Sequence, residues 1–320
     1  MSGYTMRVLI WNDMEGPTGI DDLNMLEDPE FPKAQKYATD DVNAAIRGVR
    51  KANPKAIIDI FDGHGMGDNL LVDKLEPNCN YLGGGWMTTF YEMVKSNKLP
   101  NYSAVLLLGQ HAGEGTMDGF ISHTNTGSSQ LTVNGKFAGE APQIAWLFGY
   151  FGVPCPLVVG DDAVCREADA LLPGIKSVAV KKSESTTKAT SLPFAEAHSL
   201  IEQASFEVIS QLADYSPFVV NPPIAIGIGY PFKEMADIHE KFPRTTRVSD
   251  YSVKYIADNY LEGWLAYNIV RLVINYCFRD GLFKLLIGQE NEFFKEKYTE
   301  YRTDIIQKLK DEHSFPTVKY

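Results

Sequence analysis

Cysteine is scarce: the chain has four in 320 residues, Cys79, Cys155, Cys165 and Cys277, far apart and without a Cys-x-x-Cys pair. That spacing excludes a disulfide framework or a zinc knuckle and leaves reduced, partly buried thiols. No apolar run approaches the ~20 residues needed to cross a bilayer. The N-terminus also lacks the charged start, long apolar stretch and small-residue cleavage site of an exported chain. The expectation is a cytoplasmic protein with no membrane contact. Positive charge is in deficit, 30 Lys and Arg against 41 Asp and Glu, for a formal net charge of -11. A nucleic-acid or anionic-lipid surface needs clustered bases, so both are excluded. There is no 20-to-50-residue repeat and no low-complexity tract. Gly227 and Gly229 lack the third glycine of a phosphate-binding loop, since Phe232 stands in its place.

What is present is a globular composition, 44% hydrophobic, enough to bury one large core or two modest ones. Its organising stretch is Met6 to Gly16, where an apolar strand, Val8 to Trp11, stops abruptly in Asn12, Asp13, Met14 and Glu15. Residues two apart in an extended chain point the same way, so Asp13 and Glu15 present two carboxylates together. Like charges that close repel unless a cation lies between them.

The pattern recurs along the chain. The acidic stretch from Asp21 to Pro32 reads as a loop, and Ala34 to Ala52 has helical spacing stopped by Asn53-Pro54. A second strand, Ala56 to Phe61, ends in Asp62-Gly63-His64; a third, Ala104 to Leu108, ends in Gly109-Gln110-His111. In the segment Gly119 to Thr124, His123 sits between Ser122 and Thr124 just beyond an expected short strand. Asn134-Gly135 signals a hairpin between Leu131 and Phe137. Gly139-Glu140 opens a helix over Gln143 to Phe151, and Pro156 to Gly160 is a fourth buried strand ending in Asp161-Asp162 before a helix from Ala163 to Leu172. A short strand at Ser177 to Lys182, an amphipathic helix from Pro193 to Tyr215 and a strand at Ala225 to Tyr230 follow. Helical runs then extend over 261–278, 282–287 and 291–310.

Strand-helix-strand order predicts an α/β fold with a mainly parallel sheet flanked by helices, a second, smaller α/β portion and a helical C-terminal extension. A seam near Lys182 to Pro193 divides a metal-binding catalytic domain, 1–185, from a smaller oligomerisation and packing portion, 186–320, with its helical tail.

In open α/β sheets, sites gather at the carboxyl ends of strands. Asp13, Glu15, His64 and His111 all stand there, with Glu140 at a helix start. Taken singly, each has an ordinary explanation as a turn, core or helix-capping residue. Together they are a mixed imidazole and carboxylate set, too many for one tetrahedral ion and suited to two metals about 3.5 to 4 Å apart. Asp13 or Glu15 must bridge, and Asp13 is preferred. His123 is open to three readings: a sixth ligand, a general acid or base, or a surface turn residue. The second is preferred, because hydrolysis needs a group to protonate the departing amine or steady the oxyanion. Asp161-Asp162 either orients a ligand histidine or caps the following helix. His198, His239 and His313 are expected to stand outside the site.

The residues Asp13-Met14-Glu15-Gly16, Asp62-Gly63-His64, Gly109-Gln110-His111-Ala112, Ser122-His123, Gly139-Glu140 and Gly160-Asp161-Asp162, in this order, resemble the DppA-type D-aminopeptidases, a family of dizinc metallopeptidases. The likeness runs from about Arg7 to about Cys277. It implies two Zn2+ per chain held by Asp13, Glu15, His64, His111 and Glu140, with His123 catalytic and a bridging hydroxide attacking the peptide bond. It further implies removal of N-terminal D-amino acids from short peptides, and a homo-oligomer of the decameric, self-compartmentalising kind. Asn12, where a small hydroxyl residue is common, and Gly63, in place of a serine, depart from the pattern. Two other readings of the residues remain: a dimetal hydrolase of another amide or ester bond, and a non-catalytic peptide-binding scaffold.

Overall fold

The computed structural model describes residues 5–124, 129–230 and 233–276. Cys277, His313 and the expected helices over 282–287 and 291–310 lie outside them. In chain order the first half comprises β1 (Arg7–Asn12), α1 (Phe31–Ala52), β2 (Ile57–Asp62), β3 (Asn80–Gly84), α2 (Tyr91–Lys95), β4 (Ala104–Gln110), β5 (Gln130–Val133), β6 (Lys136–Phe137) and α3 (Glu140–Tyr150). There follow β7 (Leu157–Asp161), α4 (Asp162–Leu171), β8 (Lys176–Ser183), β9 (Ala189–Ser191), α5 (Phe194–Ser210), β10 (Ile224–Gly229), α6 (Lys233–His239), β11 (Thr245–Ser249), β12 (Ser252–Ala257) and α7 (Tyr260–Tyr276).

One seven-stranded sheet has the order β3-β2-β1-β4-β7-β8-β9, parallel except for β9. Within it β1 lies between β2 and β4, with Asn12 level with Asp62 of β2 and Leu108 of β4. The chains leaving these three strands therefore emerge side by side. Alternate residues of a strand face opposite sides. Val8 and Ile10 pack with Val42 and Ile46 of α1 and Ile201 and Val208 of α5. Leu9 and Trp11 join the other core, with Ile144 and Leu147 of α3, Val164 of α4, Ile226 of β10 and Trp264 of α7.

The second sheet, β11-β12-β10-β5-β6, is antiparallel. Asn134 and Gly135 carry the positive φ angles, 51° and 80°, of the expected two-residue hairpin. Sheet membership does not follow the seam expected near residue 185: β5 and β6 lie before it yet join the second sheet, while β9 lies after it and joins the first. Two local expectations are corrected. Residues 119–124 form a loop rather than a strand; Ile121 has φ 45°, and the Phe120 N–H goes to the side chains of Asp161 and Ser183 instead of a neighbouring strand. Pro32 belongs to the first turn of α1 rather than to the loop, at a position where its missing N–H leaves no helical bond unmade.

Candidate metal centre

Past Asn12 the chain leaves β1 but stays on the end of β4: the Asp13 N–H donates to Leu108 O at 2.9 Å and the Gly16 N–H to Gly109 O at 2.8 Å. Gly109, at φ 66°, makes this approach possible, since a Cβ there would fall 2.1 Å from Asp13 O. The same packing brings Gly63 against β1, where its N–H donates to Asn12 O at 2.7 Å and a Cβ would lie 2.3 Å from Trp11 Nε1. The serine of the related pattern has no room beside this tryptophan. His64 follows at once, and its carbonyl accepts from Asn69 Nδ2 at 2.7 Å. Buried Asp62 in turn accepts both the N–H and the Nδ2 of Asn69 at 2.7 Å.

His111 and His123 are set by one carbonyl. Ala112 O lies 3.0 Å from His111 Nδ1 and accepts the His123 N–H at 3.2 Å. His123 Nδ1 lies 2.8 Å from Ile121 O. In the neutral form of each ring Nδ1 therefore carries the proton and Nε2 the lone pair. The two rings stack, 4.1 Å between centroids at 7°. Glu140 is the first residue of α3, where the helix N-terminus favours a carboxylate.

These turns bring all six expected residues together. His64 Nδ1 is 3.2 Å from Asp13 Oδ1 and 3.2 Å from the Glu15 carboxylate. His111 Nε2 lies 3.8 Å from Asp13 Oδ2 and 3.7 Å from Glu140 Oε1; His123 Nε2 lies 3.8 Å from both Glu15 Oε1 and Glu140 Oε1. Separations of 3.7 to 3.8 Å are too long for hydrogen bonds, and His111 Nε2 is a buried atom with no hydrogen-bond partner. An orphaned imidazole nitrogen ringed by carboxylate oxygens is what a cation of borderline softness requires. Three sets of ligand atoms each fall within 4.8 Å: Asp13, Glu15 and His64; Asp13, His111 and Glu140; Glu15, His111 and His123. The first two share Asp13 and between them use every expected ligand.

The charges follow from burial and proximity. Burial, then the neighbouring Glu15, pushes Asp13 up to about 7. Burial acts on Glu15 too, but the charge of His64 and its hydrogen bond, with His111 and His123 behind them, hold it well below the usual carboxylate range. Burial opposes charge on the histidines; Glu15 and Asp13 outweigh it at His64, raised to about 11, and Glu15, Glu140 and Asp13 outweigh it at His111, raised to about 9. His123 goes the other way, lowered by burial and by the charge of His111. Protons on His64 and His111 thus occupy the electrostatic role of a bound cation.

Asp161 caps α4, accepting the Val164 N–H at 2.7 Å, so the capping reading of Asp161-Asp162 holds. It also holds the Phe120 N–H at 3.1 Å and so steadies the loop that leads to His123. His198 and His239 stand apart from the cluster: His198 Nε2 is 3.2 Å from Asp41 Oδ1, and His239 Nδ1 is 2.7 Å from the Tyr230 hydroxyl. Two buried charges went unread in the sequence. Lys181 Nζ donates to Glu15 O at 2.8 Å and Ile20 O at 2.6 Å and lies 4.7 Å from the centre of the Phe120 ring. Glu167 binds two backbone amides near His111 and Glu140.

A D-aminopeptidase family model matches residues 6–269 of the chain. The D-aminopeptidase of Bacillus subtilis (strain 168) is 24% identical over 265 residues, 82% of this chain and 95% of that protein. Among solved structures, the Zn-dependent D-aminopeptidase DppA from Bacillus subtilis, a self-compartmentalizing protease, aligns with a TM-score of 0.76 and 24% identity over 84% of this chain and 98% of its own.

Proposed function

The chain belongs to the D-aminopeptidase family, and from that membership we propose that it is a zinc-dependent aminopeptidase releasing N-terminal D-amino acids from short peptides at a two-metal site. The observation that carries the proposal is the pair of ligand sets, Asp13–Glu15–His64 and Asp13–His111–Glu140, joined through Asp13. In this reading Asp13 is the bridge, Glu15 and His64 complete one site, and His111 and Glu140 complete the other. When bound, a zinc pair polarises the scissile carbonyl and brings the pKa of a shared water to about 7.

His123 is assigned to proton transfer rather than ligation. Its Nδ1 proton is committed to Ile121 O, and burial keeps the ring neutral, so Nε2 is a free base facing the carboxylates. Nε2 accepts the proton released as water attacks the carbonyl and delivers it to the departing amide nitrogen, which leaves as a neutral amine. Stacking on His111 fixes the ring plane for both transfers. DppA is described as self-compartmentalizing, and a homo-oligomer, taken as the decamer, belongs to the same reading.

The test is zinc content, then hydrolysis of D-Ala and L-Ala p-nitroanilides with and without chelator. Chelator-sensitive turnover of the D substrate at two zinc per chain is expected. Turnover that survives metal removal refutes the assignment, as does binding without hydrolysis of either isomer. H123A should keep both ions while losing at least a hundredfold in kcat, the usual contribution of a positioned acid or base being about 10²–10⁴. Loss of an ion in that variant would make His123 a ligand.

A further inference from the structure

Glu167 lies on α4, fully buried and outside the ligand cluster, yet its carboxylate joins the two turns that carry His111 and Glu140. Oε2 accepts the Gly113 N–H at 2.8 Å, and Oε1 accepts the Gly139 N–H. Gly113 follows His111 by two residues; Gly139 immediately precedes Glu140. The two turns touch, because a Cβ on Gly113 would fall 2.7 Å from Gly139 Cα, and one on Gly139 would fall 2.7 Å from Gly113 N and from Glu167 Oε1. Both N–H groups converge on one buried space. Satisfying both calls for an acceptor with two oxygens and no donor, which is an ionised carboxylate.

We propose that Glu167 is the positioning residue for the His111 and Glu140 half of the metal centre: a carboxylate clamp that fixes the spacing of these two ligands and hence the affinity for one ion of the pair. The inference rests on the two-metal reading above. The other half has separate supports. Asp13 and Gly16 are held by the carbonyls of Leu108 and Gly109, Glu15 O by Lys181, and His64 by the Asp62–Asn69 pair. Removing the clamp therefore acts on one site and spares the other, which general loosening of the fold would not do.

The experiment is stepwise zinc titration of metal-free protein against a competing chromophoric chelator, with the unfolding midpoint measured in excess EDTA. E167Q keeps the shape but places an amide nitrogen against one of the two N–H groups. The expected result is one zinc bound as in the unsubstituted chain and a second bound 10- to 100-fold more weakly, the usual cost of losing a partner behind a metal ligand. Activity should return toward the unsubstituted kcat as zinc is raised. G139A tests the same clamp from the opposite side should E167Q fail to fold. Gly139 has φ -74°, which alanine adopts freely, so this variant acts through the contact with Glu167 and Gly113.

Equal weakening of both ions, in step with a lowered metal-free midpoint, would reduce Glu167 to a structural residue and overturn the proposal. Unchanged affinity for both ions overturns it as well. An unsubstituted chain that binds fewer than two zinc ions overturns the two-metal reading first and this inference with it.

Discussion

Under the proposed two-zinc reading, loading the centre must expel protons. At pH 7.5 His64, raised to about 11, and His111, raised to about 9, are both protonated in the metal-free chain, and both must offer a bare nitrogen to a cation. Asp13, raised to about 7 by burial and by Glu15, adds at most a fraction of a proton. Glu15 and His123 are already in their deprotonated forms and release nothing. The protein's own groups release roughly two protons per chain on complete loading, and a zinc-bound water of pKa about 7 adds most of a third. The same arithmetic sets the penalty on affinity at this pH, roughly three-thousandfold from His64 and thirtyfold from His111.

Both histidines have folded pKa values above neutrality, so apparent affinity rises with pH. With about three protons released, the combined binding constant for the pair should climb about a thousandfold per pH unit between 7 and 8.5. The dependence weakens as pH passes the value for His111 and ends above that for His64. Calorimetric titration with zinc at one pH, in two buffers of different ionisation enthalpy, counts the released protons; repeating it at pH 7 and 8.5 gives the slope. Release below about half a proton, with flat affinity over that range, would mean that the carboxylate ring does not hold protons in the cation's place, and the electrostatic reasoning would fail.

Two further perturbations probe the frame around the site. His239 is 2% exposed and lowered to about 4 by burial, so stability from its neutral form is full above pH 6.5 and is lost as pH falls toward 4. Urea denaturation should show the unsubstituted chain losing about 2 kcal/mol more than H239Q between pH 7.5 and 5, and equal losses would exclude His239 as the source. G109A should destabilise by about 2 kcal/mol or more and weaken zinc binding, because its Cβ would meet the Asp13 carbonyl and its φ is positive. A thermal midpoint within a degree or two of the unsubstituted chain would refute that close approach.

The turns that carry the expected ligands were legible because the strands before them are mostly apolar. In a parallel sheet covered on both faces such runs are buried throughout, and in β1 and β4 the first polar residues mark the carboxyl edge; in β2 buried Asp59, paired with Arg7, interrupts the run in mid-strand. Asp13, His64 and His111 were found in that way, and the family pattern added roles. Glu167 and Lys181 were not legible, since each sits among charged neighbours in a segment that reads as a solvated face. What buries Lys181 is the turn at Glu15 to Ile20, some 160 residues earlier in the chain, and no local pattern records that meeting. The stretch 119–124 misled for the converse reason: Phe120 and Ile121 are apolar, but the backbone there is held by the Asp161 side chain. β11, at the edge of the second sheet, carries half-buried Arg247, β12 beside it carries an exposed charge, and both gave too short an apolar alternation to notice.

The second sheet bears on the chemistry through α3. Every residue of this helix from Glu140 to Gly149 is buried, and a helix apolar all round needs partners on every side. β4 of the seven-stranded sheet and α4 pack against it, as does α7, which follows the second sheet; Leu107, Val164, Trp264 and Tyr267 of these elements belong to the same core as Ile144 and Leu147. Tyr260 closes the arrangement, its hydroxyl donating to Gln143 O at 3.3 Å and its ring meeting Trp146 edge-on at 5.9 Å. Glu140 stands at the first turn of that helix, so its position relative to His111 depends on contacts made after residue 220. The carboxyl edge of the first sheet therefore presents four of the expected ligands, and the fifth is held in place by the packing of α3 on that sheet and on α7.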